Sequence, residues 1–333
     1  MNSDKRMNKI SIDLHLHFDG SLSVSNVRAL AALEGIDLPE SDAELCSLLT
    51  VAPDCKDLGE YLTKFSFPLS LLQSAGAIEL GMRTLCDELV TQNCIYAEIR
   101  FAPQLHTERG LKQSEVVEAA IKGFGASSLR GGLILCCMRG EDNRTANEET
   151  VRVAEQYLGE GVLALDLAGN EARYPNGNFV SLFDMARQKG IPFTIHAGEA
   201  ASAESVLSAI EMGACRIGHG VRAYESIDAM RVLADTNIPL ELCPTSNLQT
   251  AIFKCISEYP IKVFMDGGIC VTVNSDNRSV SATTACKELD LICESFGFDR
   301  NVECQLLQNS VKSAFADEEM KRELLGLIAE SYM

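Results

Sequence analysis

Short apolar segments rich in β-branched residues recur along the chain and alternate with stretches of helical period. Polar or glycine-containing residues bound each segment, as is typical of strands. Strands that alternate with helices form a parallel sheet, and strands with few polar positions fit a sheet buried on both faces. The eight segments are KISIDLHLH, CIYAEIRF, LILCCM, VLALDLAG, PFTIHAGE, CRIGHG, IPLELCPTS and ICVTVNSD.

The stretches between these segments show the apolar spacing of amphipathic helices. In residues 181–190, Leu182, Phe183 and Ala186 share one helical face. Gly190 can end this helix, because glycine readily adopts the left-handed conformation found after a last helical turn. The pattern therefore predicts a helix after the fourth strand, as a βαβ arrangement requires.

Eight parallel strands are the number that closes an α/β (β/α)8 barrel, the TIM barrel, which is the predicted fold. About seventy residues separate His17 from Asn93, too many for one crossover helix, so extra helices are expected at about residues 21–92. Residues after Thr283 are predicted to form closing helices. Without a linker or an internal repeat, residues 1–333 are expected to form a single domain.

Composition and charge narrow the class of protein. Hydrophobic residues make up 46% of 333 positions, but no run approaches the roughly 18 apolar residues of a membrane helix. The N-terminal segment MNSDKRMNKI lacks the apolar stretch of a signal peptide, and the 13 cysteines include no C-x-x-C pair, so a cytoplasmic location with reduced thiols is expected. The net charge of −18 argues against a nucleic-acid surface. We expect no membrane and no obligate protein partner.

Four of the five histidines and two carboxylates follow predicted strands. An H-x-H pair alone indicates little, because strand alternation places both side chains on one face. In a parallel barrel, however, the loops after the strands converge on one mouth, so six such groups predict a metal site there. They are His15 and His17 on the first strand, His196 and Glu199 on the fifth, His219 on the sixth and Asp276 on the eighth.

Imidazoles with one carboxylate and no thiolate suit Zn²⁺ or a similar borderline cation. Such a cation makes a nucleophile of water by lowering its pKa. Glu199 and His219 then remain for positioning water and for transferring protons. The residues by themselves predict a metal-dependent hydrolase and no particular substrate.

Other motifs are absent or accidental. His106 and Glu108 match the H-x-E element of cytidine deaminases, but no P-C-x-x-C follows, so His106 is expected to be a loop histidine held by its neighbours. The segment GFGASS lacks the third glycine of a dinucleotide fingerprint, and no phosphate-binding G-x-x-x-x-G-K-[ST] occurs.

Seven motifs between about residues 10 and 277 resemble, in their order, those of the adenosine deaminase family of metal-dependent amidohydrolases. The resemblance implies a (β/α)8 barrel with one catalytic zinc. It also implies conversion of adenosine and 2′-deoxyadenosine to inosine and 2′-deoxyinosine, with release of ammonia, in purine salvage. The motifs are DLHLHFDGS, YAEIRFAPQLH, LDLAGNE, TIHAGE, IGHG, ELCPTSN and VNSDN.

The resemblance also implies roles in catalysis. Glu199 resembles the acid that protonates the purine N1, where charge develops as C6 is attacked. His219 resembles the histidine that orients the attacking water and helps to deprotonate it. The residues that resemble the zinc ligands are His15, His17, His196 and Asp276.

Substrate contacts follow from the same resemblance. Gly169 resembles the glycine whose backbone N–H meets the purine N3, although a simple loop turn would also explain it. Asp19, which could merely form a turn before Gly20, resembles the acidic residue at the ribose. His17 is expected to contact the substrate as well as the metal. The apolar stripe in LGEYLTKF resembles a lid over the substrate rather than a packing face. The stripe consists of Leu58, Leu62 and Phe65.

One position departs from the family pattern. The usual Asp-Asp pair is Asp276-Asn277 here, and the second position normally contacts the purine N7. Because N7 only accepts hydrogen bonds, an ionised aspartate cannot donate to it, whereas an asparagine always can. Asn277 is therefore expected to preserve purine binding.

Three alternatives remain open. Relatives act on free adenine or on modified adenosine-like nucleosides, but Asp19 favours a nucleoside because free adenine would leave the ribose-facing groups unpaired. A second alternative is another metal-dependent barrel hydrolase, for example one that cleaves phosphate esters or cyclic amides, and such sites often hold two metals bridged by a carboxylated lysine at the end of the fourth strand. Here that strand ends LDLAGN without a lysine, which argues for one metal. A non-catalytic metal-binding or purine-binding protein would require a broken catalytic residue, and the motifs contain none.

Overall fold

The computed structural model describes residues 9–332. Residues 1–8 and residue 333 lie outside the described residues. The expected absence of a signal peptide rests largely on residues 1–8. The described strands are β1 Ser11–His17, β2 Cys94–Phe101, β3 Gly131–Met138, β4 Val162–Ala168, β5 Thr194–Ala197, β6 Arg216–His219, β7 Leu240–Leu242 and β8 Val271–Val273. The described helices are α1 Val24–Glu34, α2 Asp42–Leu49, α3 Leu58–Leu62, α4 Ser66–Leu71, α5 Ala75–Thr91, α6 Gln113–Gly125, α7 Arg144–Tyr157, α8 Val180–Gln188, α9 Ala203–Glu211, α10 Ile227–Thr236, α11 Pro244–Gln249, α12 Ile261–Asp266, α13 Ala285–Phe296, α14 Arg300–Ser313 and α15 Glu318–Tyr332.

The strands form two parallel four-stranded sheets that join into one barrel. Their orders are β1-β2-β3-β4 and β5-β6-β7-β8. Leu165 of β4 pairs with Phe193 before β5, and Leu16 of β1 pairs with Asp276 after β8, which closes both seams. The predicted (β/α)8 barrel is confirmed.

The strands are buried as their near-continuous apolar sequence predicts. In β3, the residues from Leu133 to Cys137 have no solvent-exposed surface, as expected for a sheet packed on both faces. The helix predicted after the fourth strand is α8, and its buried residues are Leu182, Phe183 and Ala186. Hydrophobic periodicity therefore located both kinds of element correctly.

The long first connection contains five helices, α1 to α5, as predicted, and α13 to α15 follow the last strand. Serine hydroxyls cap the N-termini of three of these helices: Ser23 accepts a hydrogen bond from the backbone of Asn26, Ser41 from that of Glu44, and Ser74 from that of Ala77. Residues 21–92 are called the insertion below. That the whole chain forms one domain stays a prediction.

Two further features concern the chain as a whole. Within residues 9–332, no helix combines the length and the apolar character needed to cross a bilayer. All 13 cysteines, the first at Cys46 and the last at Cys304, are free thiols. The three thiols on the strands, Cys94, Cys136 and Cys137, are buried and pack as small apolar side chains.

Candidate active site

Three imidazoles and one carboxylate converge at the carboxyl end of the barrel. The side chains of His15, His17, His196 and Asp276 each offer a ligand atom, all within 4.8 Å of one another. The Nε2 atoms of His17 and His196 lie 3.3 Å apart. Asp276 Oδ1 lies 3.4 Å from Nε2 of both His15 and His17. The structure thus brings together the four residues predicted to be metal ligands, from the first, fifth and eighth strands.

These four side chains, called the metal group below, fit a bound cation. His15 Nε2 is buried and has no hydrogen-bond partner among the described residues, a costly state unless its lone pair is used. The separations of 3.3 and 3.4 Å are those expected between ligands about 2.0–2.1 Å from a shared ion. The donor set of neutral imidazoles and a carboxylate suits zinc and similar divalent ions.

Two buried carboxylates orient the imidazoles of the metal group. His15 Nδ1 lies 2.8 Å from Glu241 Oε2, and His196 Nδ1 lies 3.1 Å from Asp166 Oδ1. Because each Nδ1 is bound to a carboxylate, each Nε2 keeps its lone pair toward the metal group. Arg100 bridges the two carboxylates, at 3.1 Å from Asp166 and 2.9 Å from Glu241.

These carboxylates stay ionised although they are buried. Burial alone would raise the pKa of Glu241, but Arg100 and Arg216 hold that pKa well below its ordinary value. Sequence reasoning assigned no role to Glu241 or Asp166. A signal was present, since each is a single charge within an apolar strand, in IPLELCPTS and VLALDLAG.

Glu199 and His219 face each other beside the metal group. Glu199 Oε2 lies 3.7 Å from His219 Nε2. Burial raises the pKa of Glu199 well above its ordinary value, and the negative charges of Asp276 and Glu171 raise it further. Burial lowers the pKa of His219 well below its ordinary value. The arrangement therefore pairs a protonated carboxylic acid with a neutral imidazole.

The position of the proton on His219 is determined by Asn247. Asn247 Nδ2 lies 3.0 Å from His219 Nδ1, and an amide nitrogen can only donate, so the neutral ring carries its proton on Nε2. The Tyr259 hydroxyl donates to Asn247 Oδ1 at 3.0 Å and also bonds to the backbone of Cys243, which fixes the amide orientation. Asn247 belongs to the motif ELCPTSN, but sequence reasoning gave it no role.

A cavity of about 330 Å³ lies against these groups. Its wall is mainly apolar, and every predicted substrate-binding or catalytic residue lines it. The predicted lining residues are His17, Asp19, Leu58, Leu62, Phe65, Gly169, His196, Glu199, His219, Asp276 and Asn277. Sequence reasoning missed other apolar lining residues, which are Tyr61, Leu69, Phe101, Ala102, Leu105, Cys136, Met138 and Ala168.

Backbone conformation shapes the polar end of the cavity. Gly169, just after β4, has a φ of 103°, which favours glycine. His219 and Asp276 adopt left-handed conformations without being glycine, with φ of 58° and 59°. Such backbone costs free energy and is found where function requires a particular side-chain direction.

Asp19 and Asn277 lie at the same end. Burial raises the pKa of Asp19 to about 6. The Asn277 side chain packs directly on Gly20, since a Cβ at that glycine would lie 1.9 Å from Asn277 Oδ1. Gly20, which could have been only a turn residue, is therefore required by a close approach. The Asn277 amide also hydrogen-bonds to the Tyr61 hydroxyl.

The insertion covers the cavity through α3 and the 3₁₀ turn Thr63–Phe65. The Tyr61 hydroxyl lies 2.6 Å from Ser281 Oγ, and the Val51 backbone N–H donates to Val280 at 2.9 Å. These contacts attach the insertion to the loop that follows β8. The predicted apolar stripe thus faces the cavity rather than only packing on other helices.

His106 lies apart from the metal group. It is fully buried, its ring packs near Phe18 and Phe101, and its Nδ1 lies 2.9 Å from the Leu72 carbonyl oxygen. Burial lowers its pKa to about 4. As expected from the sequence, neighbouring residues hold this histidine in place.

Comparison with known proteins places this geometry in a family. The sequence profile of the adenosine deaminase family matches residues 11–331 of the chain. The chain belongs to the adenosine deaminase family. Within this family, the adenosine deaminase of Haemophilus ducreyi is 46% identical over 330 residues, which cover 96% of this chain and 96% of that protein.

Solved structures agree with this membership. Adenine deaminase from Arthrobacter aurescens has a TM-score of 0.86 at 25% identity, covering 96% of this chain and 98% of that one. An amidohydrolase from Burkholderia ambifaria with bound zinc also has a TM-score of 0.86, at 17% identity, with coverage of 99% and 92%. The second likeness concerns the fold alone. The resemblance to the adenosine deaminase family that the motifs indicated is confirmed.

Proposed function

We propose that this protein hydrolyses adenosine and 2′-deoxyadenosine to inosine and 2′-deoxyinosine with release of ammonia, in purine salvage in the cytoplasm. One observation carries the proposal: Glu199 and His219 line the same apolar cavity as three residues of the metal group, His17, His196 and Asp276. Family membership and the 46% identity to an adenosine deaminase support the choice of substrate.

The metal group would hold one Zn²⁺ per chain. The ligands would be His15, His17, His196 and Asp276, which supply imidazole and carboxylate donors without thiolate. When bound, such an ion lowers the pKa of water near to neutrality and so supplies a nucleophile. The buried carboxylates behind the histidines hold the imidazoles in the orientation this requires.

Glu199 is proposed to protonate the purine N1. Attack at C6 moves electrons onto N1, so an acid placed there stabilises the developing charge. The raised pKa of Glu199 keeps its proton on the carboxyl near neutral pH. That proton leaves Glu199 for N1 as the tetrahedral centre forms at C6.

His219 is proposed to orient the attacking water. Because Asn247 occupies Nδ1, the Nε2–H of His219 can donate a hydrogen bond to the water oxygen and hold it against C6. This tautomer assigns His219 an orienting role. Taking up the water proton at Nε2 would require the other tautomer, which the Asn247 contact opposes.

The remaining cavity residues are proposed to recognise a nucleoside. Asp19 would accept from a ribose hydroxyl, Gly169 would donate its N–H to N3, and Asn277 would donate to N7. Leu58, Leu62 and Phe65 would cover the base. No lysine or arginine is among the described residues that line the cavity, so a 5′-phosphate would lack a counter-charge.

The deciding experiment incubates the metal-loaded protein with adenosine, 2′-deoxyadenosine and adenine and follows ultraviolet absorbance as the 6-amino group is replaced. We expect turnover of both nucleosides. Turnover of adenine alone would replace this proposal with an adenine deaminase, and no turnover of any of the three would leave only a binding protein.

Two variants test the roles. Glu199→Gln should retain the metal but lose about 10²- to 10⁴-fold in kcat, because it removes the proton donor. Asn277→Ala should raise KM for adenosine, since the donor to N7 is lost. Unchanged kinetics in Asn277→Ala would exclude the proposed contact, and a metal-free Glu199→Gln would contradict the assignment of Glu199.

A further inference from the structure

A second buried glutamate, Glu171, binds the loop that carries Glu199. It follows Gly169 in the loop after β4 and is 1% exposed. The proposed reaction gives Glu171 no part, because its carboxylate does not line the cavity. A buried carboxylate without a role in the chemistry requires another explanation, because its burial costs free energy.

Five donors converge on this one carboxylate. Four of them are the consecutive backbone N–H groups of the loop between β5 and α9. Oε1 accepts from Gly198 N at 2.7 Å and from Ser205 Oγ at 2.5 Å. Oε2 accepts from Glu199 N at 3.1 Å, Ala200 N at 2.8 Å and Ala201 N at 3.0 Å.

The opposite side of the same peptides is bound by Arg222. Its backbone N–H donates to the Gly198 carbonyl at 2.9 Å, and its Nε donates to the Glu199 carbonyl at 3.1 Å. The peptide groups on both sides of the Glu199 Cα are therefore held from two directions. The loop backbone has little freedom to rotate, although it lies outside any helix or strand.

Only a carboxylate can satisfy this set of donors. Its two oxygens offer about four lone-pair sites and carry no hydrogen, so they accept all five donors with at least one lone pair shared between two of them. A glutamine in the same place would replace one oxygen by an NH₂ group, which would face backbone N–H groups and repel them. A buried backbone N–H without a partner costs about 1–3 kcal/mol, so the loop would shift to find other acceptors.

We infer that Glu171 is a positioning residue that fixes the loop of residues 198–201 and thereby places the Glu199 carboxyl at the purine N1. The inference rests on the proposed function, because it concerns proton transfer by Glu199. It adds a residue that acts through the backbone of another and does not touch the substrate. The negative charge of Glu171 also helps to keep Glu199 protonated.

Glu171→Gln tests the inference with two measurements on the metal-loaded protein. In amide hydrogen exchange, peptides that cover residues 198–201 should exchange about tenfold faster than in wild type, because local opening becomes easier. With adenosine, kcat should fall about 10²-fold, as expected when a reacting group is displaced by about 1 Å. KM and metal content should change much less, since the cavity wall and the metal group are untouched.

Two further variants keep the test decisive. Ser205→Ala removes one donor but leaves the carboxylate, so it should produce the same pattern with a smaller loss of kcat. Glu34→Gln is the matched control. It neutralises a largely buried carboxylate that accepts from the Ser74 hydroxyl and Arg109 in the insertion, and kcat and the exchange of residues 198–201 should stay at wild-type values.

Wild-type exchange at residues 198–201 and wild-type kcat in Glu171→Gln would overturn the inference. If Glu171→Gln does not fold, unchanged exchange and kcat in Ser205→Ala would overturn it instead. The proposed function fails separately: a metal-loaded wild type that does not deaminate adenosine refutes the function. Faster exchange in Glu171→Gln would still show that Glu171 holds the loop.

Discussion

The first four strands of the barrel contain seven or eight residues each, whereas the last four contain three or four. The long strands build the core and the apolar wall of the cavity. His219 is the last residue of β6, and Glu199 and Asp276 follow β5 and β8. Where strand pairing ends after few residues, the backbone can adopt conformations such as the positive φ of His219 and Asp276. The comparison teaches that the regular pairing of the long strands supplies rigidity, whereas Glu199 and His219 lie where the short strands end.

The metal group nevertheless needs both halves. His15 and His17 come from β1, whereas His196 and Asp276 come from the second half. A bound cation would therefore join the first sheet to the second. The following predictions test how far each half depends on the other, from the largest effect to the smallest.

His15→Ala should have the largest effect on activity. It removes a ligand from the first half, so the bound metal and adenosine turnover should both be lost, as measured by elemental analysis and absorbance. Leu135→Ala on β3 is the control: it should cost about 2–5 kcal/mol of unfolding free energy by leaving a cavity. The folded fraction of that variant should retain metal and kcat. A metal-free Leu135→Ala would mean that the first half is not merely a scaffold.

Asp166→Asn should have the next largest effect. Loss of the carboxylate behind His196 should weaken metal binding about 10- to 100-fold, measured by competition with a chelator. Glu241→Gln should do the same through His15 and should also lower the thermal midpoint more, because Glu241 pairs with both Arg100 and Arg216. Equal thermal midpoints for the two variants would contradict this difference between the halves.

Leu62→Ala tests the insertion, which belongs to neither half. Removing apolar contact with the base should raise KM for adenosine up to about tenfold, and kcat should change little, because such contacts bind ground state and transition state alike. The matched change at a non-lining position, Leu45→Ala in α2, should lower stability and leave KM unchanged. A fall in kcat alone would indicate that Leu62 acts on the chemistry instead.

Glu288→Gln should have the smallest effect on activity and a measurable effect on stability. Burial raises the pKa of Glu288 from 4.5 to about 7, despite hydrogen bonds from Thr245 and Thr283. Between these pH values the folded protein binds more protons at this site than the unfolded chain does, so unfolding free energy should fall as pH rises. The fall due to this site is at most about 3 kcal/mol.

The measurement for Glu288 is chemical denaturation of both proteins between pH 4.5 and 7. The unfolding free energy of Glu288→Gln should lack the pH dependence that is due to this site. The difference in unfolding free energy between wild type and Glu288→Gln should therefore change between pH 4.5 and 7. A constant difference would show that Glu288 does not titrate there.

Residues that lie on periodic elements could be predicted from the sequence. His15 and His17 are two apart on a strand, so alternation alone puts them on one face. Their partner His196 lies on β5 and Asp276 follows β8, and the carboxyl ends of the strands of a barrel meet at one mouth. The wall residues Leu69 and Met138 escaped prediction because apolar side chains of core and cavity have the same pattern.

The sequence by itself determined the order of strands and the insertion, and it identified Glu199, His219 and the four residues of the metal group as candidates for the chemistry. It did so because hydrophobic period and residue chemistry are local properties. Only the tertiary structure decided which atoms meet. Asn247 contacts His219, Glu241 contacts His15, and Glu171 binds the loop that carries Glu199. Each of these contacts joins loops or strands from different βα units, and their approach depends on the packing of the whole barrel, which no local pattern encodes.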